Sequence, residues 1–205
     1  DSDVNSSQVS CRIGTNNLQA GIKAAEAALA TDDEELYIGI VNYDVNSANG
    51  QQRELGFRQT VEQDPRVKNI TTINVLSTTE DARAGAKEML LSDSRINVVV
   101  TFNEWTSLGV GWAIRDLNRA DRIQVVAFDS NVVSVGMLET GEVDALIVQN
   151  PYAMGYLGVE TAANLMNGQT GGPSVVDTAT TIVTRENMYE PESQKILFSF
   201  EEEGY

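Results

Sequence analysis

Residues 36–42 read LYIGIVN, a continuous apolar run rich in β-branched side chains, which is typical of a strand buried on both faces. Four more runs of strand length follow it, at residues 69–76, 96–102, 123–128 and 144–149. Segments with helical periodicity separate the runs, at about residues 49–63, 79–92, 104–118, 132–139 and 151–167. This alternation predicts an α/β fold, a doubly wound parallel sheet with right-handed crossovers.

The two ends of the chain add less regular elements. A short strand is predicted near residues 8–14 and a helix at 17–30, so the chain opens with a strand whose sequence neighbours are absent. The helix at 151–167 has clear limits, because Asn150 is a good N-cap and Pro151 suits the first turn. Asn167 and Gly168 then provide its C-terminal stop.

Composition excludes several classes of function. The 205 residues carry a formal net charge of −16, which disfavours binding to nucleic acid or to an anionic membrane surface. The chain has no histidine and one cysteine, Cys11, so Ser-His-Asp catalysis, Cys-His catalysis and an internal disulfide are excluded. No metal site and no cofactor are expected.

Polar residues stand where the predicted strands end, namely Asn42, Ser77, Asn103, Asp129 and Gln149. In an open parallel sheet, ligands bind in the crevice at the carboxyl ends of the strands. A row of neutral amides and one carboxylate, with Arg53 near the start of a helix beside it, suits a small polyhydroxylated molecule.

Several local patterns occur in the order found in the type I periplasmic binding-protein family. They are Thr15-Asn16-Asn17 with Gly21, Asn46-Ser47 to Arg53-Glu54-Leu55-Gly56-Phe57, Phe102-Asn103-Glu104, Ala127-Phe128-Asp129 and Gln149-Asn150-Pro151. The chain therefore resembles this family, which includes ribose- and galactose-type sugar receptors and the effector domains of LacI-like regulators. The resemblance covers nearly the whole chain.

The resemblance implies a set of ligand-binding residues by position. They are Asp1, Arg53, Asn103, Asp129 and Gln149. Ribose-type receptors carry a stacking aromatic where this chain has Thr78, and Trp105 is the residue expected to supply an aromatic face instead.

The resemblance also implies two lobes. Residues 16–149 and 180–205 are expected to form the C-terminal lobe, whereas 1–15 and 150–179 are expected to be a remnant of the N-terminal lobe and the crossings between lobes. Most of the N-terminal lobe is expected to be absent. The missing segment, which would also hold any signal peptide and lipid-anchor cysteine, is one of the expected partners of this chain.

The expected function is that of an extracytoplasmic solute-binding protein, not an enzyme. It would bind a neutral sugar or polyol between hinged lobes in the periplasm or outside the cell, and would deliver it to an ABC permease. Two alternatives keep the fold, a sugar-sensing effector domain of a LacI-like regulator and the same lobes in a membrane-bound sensor. A third is a sugar-processing enzyme that uses Asp44 and Asp129 as acid and base.

Each candidate residue also has a purely structural interpretation. Arg53 would form a surface ion pair with Glu54 or Glu62, and Asp129 would cap the helix at 132. Asn103 would cap its own helix, and Gln149 would bond the crossing backbone. Trp105 would fill the interface with the missing lobe, while Tyr43 and Asp44 would lie in a solvated loop.

Overall fold

The computed structural model of the protein describes residues 6–169 and 172–198. The strands in these ranges are β1 (Arg12–Thr15), β2 (Leu36–Asn42), β3 (Val67–Asn74), β4 (Val98–Thr101), β5 (Gln124–Phe128), β6 (Ala145–Val148), β7 (Val175–Thr178) and β8 (Thr181–Thr184). The helices are α1 (Asn17–Leu29), α2 (Ala48–Val61), α3 (Thr79–Ser92), α4 (Glu104–Leu117), α5 (Val132–Thr140), α6 (Pro151–Met166) and α7 (Pro191–Leu197).

Six strands form the main sheet in the order β3-β2-β4-β5-β6-β8. All neighbouring pairs are parallel except β6 and β8, which are antiparallel. Helices cover both faces, because one apolar cluster lies between the sheet and α1 and α2, and a second lies between the sheet and α3, α4 and α5. The predicted α/β fold with a doubly wound sheet is confirmed.

The strand order places a crevice at one point along the main sheet. From β2 the chain passes to β3 on one side and then returns to β4 on the other. The connections that leave the carboxyl ends of β2 and β4 therefore diverge, and this divergence leaves a crevice where ligands of such sheets bind. Residues that follow β2 and β4 are thus candidates for a site.

A second, two-stranded sheet pairs β1 with β7 in parallel. The first strand begins later than predicted, at Arg12. Strands β7 and β8 and helix α7 were not predicted from the sequence. Asn150 caps α6 as predicted, since its Oδ1 accepts from the Ala153 N–H at 2.9 Å. None of the residues of α6 is buried within the described part of the chain. The assignment of these elements to two lobes stays a prediction.

Helices α1 and α2 approach so closely that each needs a glycine at the contact. A Cβ on Gly56 would lie 2.2 Å from the carbonyl oxygen of Leu18, and one on Gly21 would lie 2.0 Å from that of Arg53. Both distances are too short for real atoms, so the two backbones meet only because side chains are absent. The contact fixes the position of the backbone that carries Arg53.

We expect Gly56→Ala to lower the free energy of unfolding by about 1–3 kcal/mol, because the added methyl group pushes the helices apart. Gly136→Ala is the matched control, since Gly136 lies in helix α5 and has no atom within 4 Å of an added Cβ. The control should gain ~0.5–1 kcal/mol from better helix propensity. Urea unfolding followed by circular dichroism measures both, and equal effects would contradict the close approach.

None of the helices in the described ranges combines the length and the apolar character needed to cross a lipid bilayer.

Candidate functional site

Residues that follow β2, β4, β5 and β6 line a cavity of about 490 Å³ at the carboxyl edge of the main sheet. Its volume is within the range usual for small-molecule sites. The lining consists of Tyr43, Ser47, Asn49, Arg53, Asn103, Glu104, Asp129, Ser130, Val148, Gln149, Pro151 and Met154. Four of the residues predicted from the sequence, Arg53, Asn103, Asp129 and Gln149, therefore share one hollow.

A larger groove of about 870 Å³ lies at the opposite edge, where β5 and β6 begin with Gln124 and Ala145. Ligands of open α/β sheets bind at the carboxyl ends of the strands, not at this edge. Its charged lining also mixes carboxylates and guanidinium groups near the surface, among them Asp121 and Arg122. We therefore take the smaller cavity as the candidate site.

Arg53 is the central charged group of the site, and only 1% of its surface is exposed. Its Nε donates to Asn17 Oδ1 at 2.8 Å, Nη1 to the carbonyl oxygen of Phe102 at 2.7 Å, and Nη2 to Gln149 Oε1 at 3.0 Å. The guanidinium carbon lies 4.8 Å from the ring centre of Phe128. Burial lowers the pKa of Arg53, but a guanidinium stays charged at neutral pH, so the site holds a fixed cation.

The surface-pair interpretation of Arg53 is wrong. Arg53 lies in the second turn of α2, not at its beginning, and points inward. The nearby Glu54 bonds a different arginine instead, since Arg58 Nε donates to Glu54 Oε1 at 2.8 Å. The buried guanidinium is thus available to organise the cavity.

Gln149 connects Arg53 to the carboxylate of the site. Its Nε2 donates to Asp129 Oδ1 in a short hydrogen bond. Its Oε1 accepts from Thr15 Oγ1 at 2.6 Å as well as from Arg53. An amide oxygen has two lone pairs, so this oxygen is fully occupied and Gln149 can offer a ligand only its remaining N–H. It bonds side chains, not the crossing backbone as the alternative interpretation had it.

Asp129 holds its carboxylate in an unusual backbone position. Its φ is 68°, in the left-handed region that few residues other than glycine, asparagine and aspartate adopt. Burial raises the pKa of Asp129, while the bond from Gln149 and the charge of Arg53 act in the opposite direction. The cap of α5 is Asn131, so the interpretation of Asp129 as that cap is wrong.

Asn103 serves its own helix and still has capacity for a ligand. Its Oδ1 accepts from the Thr106 N–H at 2.9 Å, so it caps α4, and its Nδ2 donates to Ser77 Oγ at 2.7 Å. An amide nitrogen carries two hydrogens, so a second donor remains. The next residue, Glu104, adds a carboxylate to the lining and accepts from Asn131 Nδ2 at 2.7 Å.

A polar cluster at the start of α2 also contributes to the cavity, although the sequence did not predict it as part of the site. Tyr43 is only 7% exposed and lines the cavity, contrary to the solvated-loop interpretation. Asn49 Oδ1 accepts from Tyr43 Oη and the Gly50 N–H, each at 3.0 Å, and also from the Ser47 hydroxyl. These donors fix the amide oxygen, and Asn49 Nδ2 has no acceptor among the described residues. It is therefore a further donor of the cavity.

Two expected or possible site residues, Trp105 and Asp44, do not line the cavity. Trp105 is 49% exposed on the first turn of α4 and does not line the cavity, so the structure gives no support to its role as an aromatic face for the ligand. Asp44 is exposed and accepts from the Asn46 N–H at 2.9 Å, also away from the lining. Asp1 lies outside the described residues, and its assignment stays a prediction.

The polar end of β2 supports the site only indirectly. Asn42 Nδ2 donates to Glu54 Oε2 at 2.7 Å, and its Oδ1 accepts from the Tyr43 N–H at 2.9 Å. Asn42 does not line the cavity. Its side chain instead fixes the turn from β2 to α2, from which Tyr43 reaches the hollow.

Comparison with known proteins agrees with this geometry. A model of the periplasmic binding protein domain family matches residues 1–170. The chain belongs to this family. The type I resemblance carried by its sequence patterns is therefore confirmed.

Solved structures of the family superimpose closely on the chain. A carbohydrate transporter solute-binding protein from Agrobacterium radiobacter, in complex with D-arabinose, gives a TM-score of 0.90 at 28% identity, over 96% of this chain and 68% of that one. A sugar-binding protein of a sugar ABC transporter from Bacillus halodurans gives 0.86 at 28% identity, over 92% and 69%.

A curated relative is the D-ribose/D-allose-binding protein of Pseudomonas aeruginosa. It is 28% identical over 150 residues, which are 72% of this chain and 47% of the relative. The chain thus matches about half the length of that protein. By their names, all three relatives are solute- or sugar-binding proteins, and two of them belong to sugar transporters.

Proposed function

We propose that this chain is the major part of an extracytoplasmic solute-binding protein that captures a neutral sugar or polyol for an ABC-type importer. The observation that carries the proposal is the single hollow that collects Arg53, Asn103, Asp129 and Gln149. The periplasmic family and its sugar-binding relatives support the same assignment. No bond of the ligand is expected to be made or broken.

The hydrogen-bonding capacity of the cavity fits vicinal hydroxyl groups. The carboxylate of Asp129 can accept further hydrogen bonds from a ligand. The guanidinium of Arg53 and the amide nitrogens of Gln149, Asn103 and Asn49 are donors. A hydroxyl group both donates and accepts, so adjacent hydroxyls of a sugar can satisfy both kinds of partner. Bonds to the charged members are about twice as strong as neutral ones, which makes Arg53 and Asp129 the main contributors.

Binding would occur between two lobes that close around the ligand by a hinge motion. The main sheet would form one lobe, and β1, β7 and α6 would belong to the other. The hinge would include residues 15–17, 149–150 and 177–180, where the chain passes between the two sheets. Closure buries the sugar hydroxyls, and each one left unpaired would cost ~1–3 kcal/mol. The closed form would be the one that the membrane permease recognises.

A thermal-shift screen of pentoses, hexoses and inositols on the complete protein tests the proposal, followed by calorimetry on each hit. Binding of one or a few sugars should raise the melting temperature with increasing ligand concentration, because the ligand binds only the folded state. Charged amino acids and nucleotides form the negative set. A protein that is stabilised by members of the negative set and by no sugar would refute the proposal.

A further inference from the structure

The side chain of Gln149 joins two of the chain crossings. Gln149 directly follows β6 of the main sheet, whereas Thr15 ends β1 of the two-stranded sheet. The Thr15 hydroxyl donates to Gln149 Oε1 at 2.6 Å, although 134 residues separate the two in sequence. Thr15 is only 1% exposed and Gln149 is partly buried, so protein surrounds this bond on the Thr15 side and leaves it open to the cavity on the Gln149 side.

Arg53 adds a second bond to each crossing. It donates to Gln149 Oε1 at the second crossing and to Asn17 Oδ1 at the first. Asn17 begins α1 two residues after Thr15 and is 3% exposed. The hydrogen bonds therefore form one connected series from Thr15 through Gln149 and Arg53 to Asn17. Both ends of the series lie at the first crossing, and its middle lies in the candidate ligand site.

We infer that Thr15 is a positioning residue that couples the angle between the lobes to the affinity of the site, an inference that rests on the proposed function. A rotation at the crossings moves β1 relative to β6, and hydrogen bonds weaken steeply when their distance or angle departs from the favoured range. The Thr15–Gln149 bond therefore forms over a limited range of lobe angles. A ligand held by Gln149 and Arg53 stabilises that same range.

The coupling acts in both directions. When the bond is intact, Gln149 Oε1 is held by two donors and the amide nitrogen faces Asp129, ready for the ligand. When the ligand is bound, the fixed Gln149 in turn favours the hydrogen-bonded lobe angle. Linkage requires that the two effects have the same magnitude.

The test compares Thr15→Val, which keeps the shape but removes the hydroxyl, with Thr15→Ser, which keeps the hydroxyl. Thr15→Val should weaken binding of the sugar found in the screen by about 5- to 10-fold, chiefly through faster dissociation, and Thr15→Ser should bind within about 2-fold of wild type. Thr60→Val is the matched control, because Thr60 lies near the C-terminal end of α2, away from the crossings, and its hydroxyl donates to the Gly56 carbonyl at 3.0 Å, not to Gln149. It should bind as wild type does.

A second readout separates coupling from a merely structural role. Spin labels attached to cysteines that replace Glu88 on α3 and Glu160 on α6, in a Cys11→Ser background, report the distance between the lobes. Pulsed electron paramagnetic resonance measures the distribution of this distance. Thr15→Val should broaden that distribution and reduce the closed fraction at saturating sugar, and Thr60→Val should not.

The possible results are distinguishable. Thr15→Val with wild-type affinity and an unchanged distance distribution would overturn the inference. The same holds if Thr60→Val reproduces its effects or if Thr15→Ser also loses affinity and the narrow distance distribution. A wild-type protein that binds no sugar would refute the proposed function. In that case the distance distribution of the unliganded Thr15→Val protein still decides whether Thr15 controls the lobe angle.

Discussion

Replacing Arg53 by methionine should weaken sugar binding strongly and lower the free energy of unfolding at the same time. The substitution keeps an unbranched side chain but removes the guanidinium from the face of Phe128, and it leaves buried acceptors on Asn17, Phe102 and Gln149 without their donor. Loss of a charged hydrogen-bond partner weakens binding by ~1.5–3 kcal/mol, and removal of one buried charge beside another lowers the free energy of unfolding by ~3–5 kcal/mol. Calorimetry and urea unfolding measure the two effects.

Arg58→Met is the matched control for Arg53→Met. Arg58 lies on the same helix, is partly exposed, and pairs at 2.8 Å with Glu54 and at 3.8 Å with Glu62. Such pairs contribute only about 0.3–0.5 kcal/mol each, so this variant should be slightly less stable and should bind normally. Arg53→Lys keeps the charge but has fewer hydrogen-bond donors. This variant should fold, and it should bind sugar weakly. An Arg53→Met protein with normal affinity would remove Arg53 from the site.

The sequence predicted the parallel sheet well because four of its strands, β2, β4, β5 and β6, are buried on both faces. Such strands are long apolar runs that periodicity detects without knowledge of their neighbours, as in residues 36–42 and 123–128. Strands β7 and β8 were not predicted. Each has only four residues, and three of the residues in β7 are exposed or only partly buried, so neither shows the pattern of a core strand.

The sequence predicted those residues of the candidate site whose position in the chain alone brings them to the cavity. It did not predict those whose contribution depends on the direction of the side chain. Asn103, Asp129 and Gln149 follow strands that end at one edge, so the topology brings them together. Trp105 and Asn49 show the limit. Trp105 is only two residues beyond Asn103, but helical rotation carries it to the surface.

Asn49 was missed although it stands four residues before Arg53, a spacing that puts both on one face of α2. Its role as a donor depends on the Tyr43 and Ser47 hydroxyls that hold its oxygen, and those contacts come only from the folded turn. The position of Asn49 on the same helical face as Arg53 is the sequence signal that could have identified it.

Asp129→Asn should weaken sugar binding by ~1.5–3 kcal/mol while leaving the backbone in place. Asparagine tolerates the left-handed conformation at this position as well as aspartate does, so the variant removes the charge without adding strain. Asp144→Asn is the matched control. Burial raises the pKa of Asp144 too, and it accepts from the Val125 N–H at 2.8 Å, but it stands at the opposite edge of the sheet. It should bind sugar normally.

The same carboxylate predicts opposite effects of pH on affinity and on stability. Because burial raises the pKa of Asp129, the folded protein binds this proton more tightly than the unfolded chain does. Ionised Asp129 therefore lowers the free energy of unfolding above its folded pKa, and this cost disappears as the pH falls through that pKa. The sugar needs the ionised acceptor, so affinity should fall over the same range.

The difference between wild type and Asp129→Asn isolates this group from the other carboxylates. Between about pH 7 and about pH 4, unliganded wild type should gain stability relative to the variant, while its advantage in affinity should shrink. Paired urea-unfolding and calorimetric titrations at each pH measure both differences. Equal affinities of wild type and Asp129→Asn at every pH would show that the carboxylate of Asp129 does not hold the sugar, because an amide would then serve equally well.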